Sequence, residues 1–355
     1  MEENYDNECL NQFVSSGIDK FIAELIEYGI KEKLKNGELT KSEYNKLNDF
    51  IRTDEFISSA NKKSGHPDCV YVKMGFPNGT EFICFGKNAE KHEIEKEKVI
   101  SDYLGEQLNN KIVLSNIYNN SEFIAFELLD KEDIDLAKKV FQMSYEEKEN
   151  TLEKIIDNIV AYHSIPLNKR IKKLIEKSDY WKEYESFGFT QKFDYKNISD
   201  KLNANRSGLT HGDLHFSNII LKKNGDLWII DWSRAMYGVP QTDLARIIFS
   251  FGWENNAEKE NKAIEMLYSK LSINQNFEKF KEIYSLARIH EYIKLAGFAE
   301  KKAKEYREVM NDKKFLAKNK YDPKIFEVAA RKAEHAKEDL LTNVKNYAKI
   351  KEIKI

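Results

Sequence analysis

Between Leu209 and Asp243 the chain reads LTHGDLHFSNIILKKNGDLWIIDWSRAMYGVPQTD, which gathers His211, Asp213, His215, Asn218, Asp231 and Asp243 into one turn-punctuated segment. Two carboxylates and a carboxamide are the oxygen donors that a hard cation such as magnesium prefers, and magnesium usually accompanies phosphates. These residue types point to phosphoryl transfer. Ile219 to Leu221 and Leu227 to Ile230 are apolar runs on either side of Asn224-Gly225, a hairpin turn signal. The hairpin places Asn218 before its first strand and Asp231 after its second, so both lie at the open end, with Asp213 close enough to join them. A phosphoryl-transfer site needs that triangle. One carboxylate orients and deprotonates a hydroxyl, while an amide and a second carboxylate hold the metal on the nucleotide phosphates.

The string HGDLHFSN, followed by IIDW and then DLA, resembles the catalytic loop of the aminoglycoside phosphotransferase and choline kinase-like superfamily, small-molecule kinases with a protein-kinase-like fold. The resemblance implies an α+β, bilobal architecture with a small β-rich N-lobe and a larger, mostly helical C-lobe. It also implies that Asp213 is the catalytic base, that Asn218 and Asp231 bind magnesium, and that His211 and Asp243 brace the loop. Asp231 takes the place of the Asp in the protein-kinase Asp-Phe-Gly motif, with Trp232 following instead of Phe-Gly. Plainer readings stand beside these: His211 and His215 as structural histidines, and Asp243 as the cap of a helix starting at Leu244. GDLH also resembles the metal-binding Gly-Asp of calcineurin-like phosphoesterases. That class needs more ligands, and His66, His92, His163, His290 and His335 are scattered without ligand spacing.

Other elements must position this loop. Phe21, Ile22, Leu25, Ile26 and Ile30 recur at helical spacing and Thr40-x-x-Glu43 reads as a capping box, so residues 1–54 are expected to form a helical extension. Residues 55–129 read as a nucleotide-binding lobe: strands at Val70–Gly75 and Glu81–Gly86 around Pro77-Asn78-Gly79-Thr80, an amphipathic helix over 88–108, then strands at 111–118 and 123–128. The resemblance places the hinge at Glu127-Leu128-Leu129, with backbone groups offered to an adenine. Residues 130–355 read as the catalytic and acceptor-binding lobe. There Ser144-x-x-Glu147 is a capping box and Leu152, Ile155, Ile156, Ile159 and Val160 form a core stripe, with further helices over 277–299 and 323–347.

One feature departs from the superfamily pattern. The third strand of such lobes carries a Lys or Arg that grips the α- and β-phosphates and pairs with a helix Glu, for which Glu97 is the best placed. Cys84 stands about where that cation belongs. If Asn78-Gly79 is a two-residue loop, the ladder puts Lys73 opposite Cys84, on the same face of the sheet, so Lys73 is expected to supply the ammonium, with Lys87 as its competitor. The segment Ser58 to Gly65, the expected phosphate loop, has a single glycine.

With 41% hydrophobic and 33% charged residues in 355, the chain can bury a full core. It has no apolar run of about 18 residues and an acidic N-terminus, which argues against a membrane span or a signal peptide. Cys9, Cys69 and Cys84 are widely separated and read as free thiols in the cytoplasm. From Lys301 onward 16 basic residues face 9 acidic ones, but the acids are interleaved and no stacking aromatics accompany them, so no nucleic-acid partner is expected. The expectation is a magnesium-dependent kinase moving the γ-phosphoryl of ATP, or GTP, to a hydroxyl of a small acceptor such as an aminoglycoside, a choline-like amino alcohol or a sugar. The alternative favoured by Cys84 is a pseudokinase that binds nucleotide without turnover.

Overall fold

The β-branched and aromatic runs that follow Asp68 form adjacent strands, as their composition favours. In the computed structural model these are β1 (Cys69–Gly75) and β2 (Glu81–Asn88), followed by α1 (Lys91–Leu108), β3 (Asn116–Asn119) and β4 (Phe123–Phe126). The structure describes residues 69–75, 81–88, 91–109, 116–119, 123–126, 134–176, 179–186, 195–314, 316 and 322–353. The expected extension over 1–54, the Ser58 to Gly65 loop and the hinge residues Glu127 and Leu129 lie outside them. The described residues fall into two units, one up to Ile134 together with Leu221–Trp228, the other comprising Asp135–Ile220 and everything from Ile229 on.

In the first unit the sheet runs in the order β1-β2-β4-β3, with antiparallel neighbours. Its register corrects one expectation. The β1–β2 ladder closes at Gly75–Glu81 rather than Pro77–Thr80, so Lys73 pairs with Ile83 and Cys84 pairs with Val72. A one-residue offset exchanges the two faces of a strand. By register, Lys73 and Lys87 fall on one face and Cys84 on the other. In α1, Ile94, Glu97, Ile100, Ser101 and Leu104 share the buried face, and Glu97 is 1% exposed.

The second unit is mainly helical. It begins at β5 (Ile134–Asp135) and α2 (Leu136–Lys139) and continues through α3 (Tyr145–His163), α4 (Lys169–Ile175), α5 (Tyr180–Ser186) and α6 (Tyr195–Ala204). The capping box forms: Ser144 Oγ accepts from Glu147 N at 3.2 Å and the Glu147 carboxylate accepts from Ser144 N at 2.6 Å. Leu152, Ile155, Ile156 and Ile159 are then buried in a stripe along α3. Short strands β6 (Gly208–Thr210), β7 (Ile219–Leu221), β8 (Leu227–Ile229) and β9 (Met236–Gly238) carry the motif segment, and α7 (Pro240–Ser250), α8 (Ala257–Lys270), α9 (Phe277–Asn311) and α10 (Pro323–Ile350) follow. Asn224-Gly225 makes the β7–β8 turn, with Gly225 at φ 85°.

The core of this unit joins α5, α6, α9 and α10 through Tyr180, Tyr195, Leu202, Ile283, Tyr292 and Val344. Each such side chain contributes about 1.5–3 kcal/mol on burial. β6 and β9 run antiparallel with Gly208 opposite Gly238. A Cβ on Gly238 would lie 2.7 Å from both Thr210 Oγ1 and the Tyr180 hydroxyl, so a glycine there lets α5 approach the strand. Inside α9, Arg288 pairs with the buried Glu260 of α8, which also accepts from the Tyr284 hydroxyl at 2.9 Å. No helix among the described residues is long and apolar enough to cross a membrane.

Removing one partner of a buried ion pair strands the other charge, whereas an exposed pair is worth little. Glu260→Ala is therefore expected to cost about 3–5 kcal/mol in urea unfolding. Glu305→Ala, which breaks the exposed 2.7 Å pair with Lys302, should cost under about 1 kcal/mol. Equal losses would contradict this account.

Candidate active site

The loop leaves β6 at Thr210 and turns sharply at Gly212, whose φ is 78°. A Cβ there would sit 2.3 Å from the Arg234 carbonyl oxygen, so both backbone conformation and close approach require glycine. His211 is wholly buried. Its Nε2 donates to the Ile230 carbonyl at 2.9 Å, and its Nδ1 accepts from Asp213 N at 3.2 Å, which fixes the orientation of the ring. The ring packs beside Trp232, which meets Tyr162 edge-on at 5.1 Å. His215 accepts from Ser217 N through Nδ1 and so caps the short turn Phe216–Asn218. Burial lowers its pKa to about 4, against the pull of Asp213. Both histidines thus serve the backbone of the loop.

The hairpin delivers Asn218 and the residue before Asp231 to one another, since Ile230 N donates to the Asn218 carbonyl at 3.0 Å. Asn218 is buried and its Nδ2 donates to the Asp213 carbonyl at 2.9 Å, which turns its Oδ1 into the ligand-capable atom. Asp231 adopts left-handed φ 66°, ψ 61°, a conformation that costs a non-glycine residue about 1–2 kcal/mol. Ser233 Oγ donates to its Oδ1 at 2.7 Å. A strained residue at a sequence-predicted site is where function rather than stability sets the backbone. Asn218 and Asp231 thus present two hard oxygen donors. Such a pair suits magnesium, which keeps waters and binds substrate phosphates rather than filling a protein cage. Among the described residues no group of three or more His, Cys, Asp or Glu could hold a metal, the arrangement the phosphoesterase reading needs.

Asp243, in the first turn of α7, anchors the start of the loop. Its Oδ2 accepts from the Tyr162 hydroxyl at 2.7 Å and from His211 N at 2.8 Å, and its Oδ1 accepts from Gly212 N at 3.0 Å. Burial pushes this carboxyl up, and the three donors act against that.

Around Asp213 the structure assembles cations that the sequence did not connect to it. Arg246 Nε lies 3.3 Å from Asp213 Oδ1 and Arg234 Nε 4.0 Å from Oδ2, while His215 Nε2, an ion-pair partner only when protonated, lies 3.9 Å from Oδ2. Lys294 of α9, 1% exposed, donates to the Gly212 carbonyl and sits 3.5 Å from Glu183 and 3.6 Å from Glu291. Burial would raise the Asp213 carboxyl. Lys294, Arg246, His215 and Arg234 outweigh burial and hold it well below the usual carboxylate range. Glu183, despite its burial, is lowered to about 2 by Lys294 and His290, and His290 also meets the Tyr195 hydroxyl. Lys294 itself is pushed up by Glu291, Glu183 and Asp213 against its own burial. The one sequence signal was a lysine inside the otherwise buried stretch IHEYIKLAGF.

Glu97 lies in the first unit, and Lys73 is displaced by one register position from the pairing expected with Cys84. His163 binds Leu209 O and Ser207 Oγ and supports β6.

If Lys294 keeps Asp213 ionised, Lys294→Met removes a lowering charge, so the Asp213 pKa must rise. The acid limb of kcat/KM is expected to move to higher pH in Lys294→Met, with kcat falling about 10–100-fold, and to return toward wild type in Lys294→Arg. A loss of activity with an unmoved acid limb would make Lys294 purely structural.

An ethanolamine kinase from Plasmodium vivax is similar in structure with a TM-score of 0.52 and 14% identity, covering 87% of this chain and 93% of that one. A choline/ethanolamine kinase family protein from Mesorhizobium loti gives a TM-score of 0.51 at 7% identity, covering 84% and 94%. Both show a common fold. No curated protein matches the chain. The phosphotransferase enzyme family matches residues 91–268, half of the chain and all of the loop from His211 to Asp243. The protein therefore belongs to the phosphotransferase enzyme family and is an ATP-dependent phosphotransferase acting on hydroxyl acceptors.

Proposed function

We propose a magnesium-dependent kinase that moves the γ-phosphoryl of ATP, or GTP, to a hydroxyl of a small acceptor: an aminoglycoside, a choline-like amino alcohol or a sugar. The observation that carries this reading is the Asp213 carboxylate, favoured in its ionised form by the buried Lys294 and by Arg246 and Arg234, and bonded through its backbone to Asn218. A carboxylate held so low is a weak base. It aligns the acceptor hydroxyl by accepting its hydrogen bond and takes the proton late, which suits a loose transition state in which positioning and charge stabilisation supply most of the rate.

Asn218 and Asp231 would hold magnesium, whose charge stabilises the phosphates as the bond to the leaving oxygen breaks. His211 and Asp243 keep the loop rigid. Residues 55–129 would form the nucleotide lobe, with Glu127 and Leu129 offering backbone to the base and Glu97 orienting a strand lysine. That lysine is Lys73 or Lys87, which share one face by register. Residues 130–355 would form the catalytic and acceptor lobe.

Incubation with magnesium and ATP across a panel of aminoglycosides, amino alcohols and sugars is expected to give acceptor-dependent ADP formation. The rate should drop at least about 100-fold in Asp213→Ala and vanish on chelation of magnesium. Nucleotide binding without turnover on any acceptor would overturn the reading in favour of a pseudokinase.

A further inference from the structure

His290 and Lys294 lie one helical turn apart on α9, and both are buried, at 2% and 1% exposure. Lys294 reaches the catalytic loop at the Gly212 carbonyl, whereas His290 turns to two other helices. Its Nδ1 meets the Tyr195 hydroxyl at the start of α6, and its Nε2 lies 3.1 Å from Glu183 Oε2 on α5. Tyr180 packs edge-on against the imidazole, with ring centroids 5.0 Å apart. The other oxygen of Glu183, Oε1, lies 3.5 Å from Lys294 Nζ. The row Tyr195, His290, Glu183, Lys294 thus runs from the helical core to the loop that carries Asp213.

A lysine ammonium is a point charge on a flexible stem, so its place is set by the acceptors it meets. Its three donors face the Gly212 carbonyl, Glu183 Oε1 and, at 3.6 Å, Glu291 Oε1. Glu291 belongs to the same helix as Lys294, so of the two carboxylates Glu183 alone ties the ammonium to a second element. Where Glu183 Oε1 points depends on what holds Oε2, and His290 stands there. Burial and Glu183 push the Tyr195 hydroxyl up, so it carries its proton and can donate to the ring. A buried polar row whose members satisfy one another rigidifies what it joins, and loss of one member strands the next.

We propose that His290 is a positioning residue for the phosphoryl-transfer loop: Tyr195 donates to its Nδ1, its Nε2–H donates to Glu183, and Glu183 so held sets Lys294 against the Gly212 carbonyl. It acts through Glu183 and Lys294 rather than on the reacting atoms. Its part in catalysis rests on the reading of Asp213 as the residue that meets the acceptor. Its part in holding the loop does not, and is tested without an acceptor.

Amide hydrogen exchange followed by NMR on the full chain reads that part directly. The Gly212 and Asp213 amides, bonded to Asp243 Oδ1 and His211 Nδ1, report the loop, and the Ile155 and Ile156 amides inside α3 report the body of the unit. His290→Phe keeps a ring and removes both nitrogens. It should lower protection at Gly212 and Asp213 about tenfold more than at Ile155 and Ile156, the effect of about one hydrogen bond. His290→Gln, whose amide both accepts and donates, should restore most of the loss. In a Lys294→Met background His290→Phe should add nothing at the loop, because the link it acts through is gone. Tyr195→Phe should give a smaller loss of the same pattern, and carries the test if His290→Phe does not fold. Nitrogen NMR of the His290 ring in the wild-type chain should show the proton on Nε2 and none on Nδ1. The proposal is overturned by losses at Gly212 and Asp213 no larger than those at Ile155 and Ile156, by a loss that His290→Gln does not restore, by an equal loss with and without Lys294, or by a proton on Nδ1.

Discussion

Everything in the catalytic unit depends on one buried carboxylate that does no chemistry. Asp243 accepts the Tyr162 hydroxyl and the His211 and Gly212 amides, so a single side chain ties α3, α7 and the loop together. Its burial favours the neutral form, and its three donors favour the charged one. The loop is held rigid because three donors from α3 and from the loop itself converge on the two oxygens of one side chain.

From that anchor the site follows in order. Gly212 allows the turn, His211 pins it to Ile230, and Asp213 is left facing Arg246, Arg234 and Lys294. Burying Lys294, Glu183 and Glu291 together sacrifices stability that apolar packing of the same volume would have given. In return, the part-buried carboxylate at the centre is favoured in its charged form. The strain at Asp231 belongs to the same trade between stability and geometry.

Local signals in the sequence were reliable because their physics is local. Asn224-Gly225 specified the turn and Ser144 and Glu147 specified the start of α3, while residue types and spacing singled out Asp213, Asn218 and Asp231, and the roles of His211 and Asp243 rested on the family resemblance. The cations around Asp213 were not legible, because Lys294 and Arg246 reach it through packing of α9 and α7, and no short-range pattern links residues so far apart. Lys73 shows a further limit. Pro77-Asn78-Gly79-Thr80 carries turn chemistry, but turn chemistry does not fix where the ladder closes, and a shift of one residue moved Lys73 off the face of Cys84.

The central claim is that Asp213 is ionised throughout the working pH range because Lys294, Arg246 and Arg234 surround it. Carbon-detected NMR titration of its side-chain carboxyl in the folded protein tests this directly. The account predicts no titration at about pH 4, where an ordinary aspartate protonates. A titration at or above that pH would contradict it.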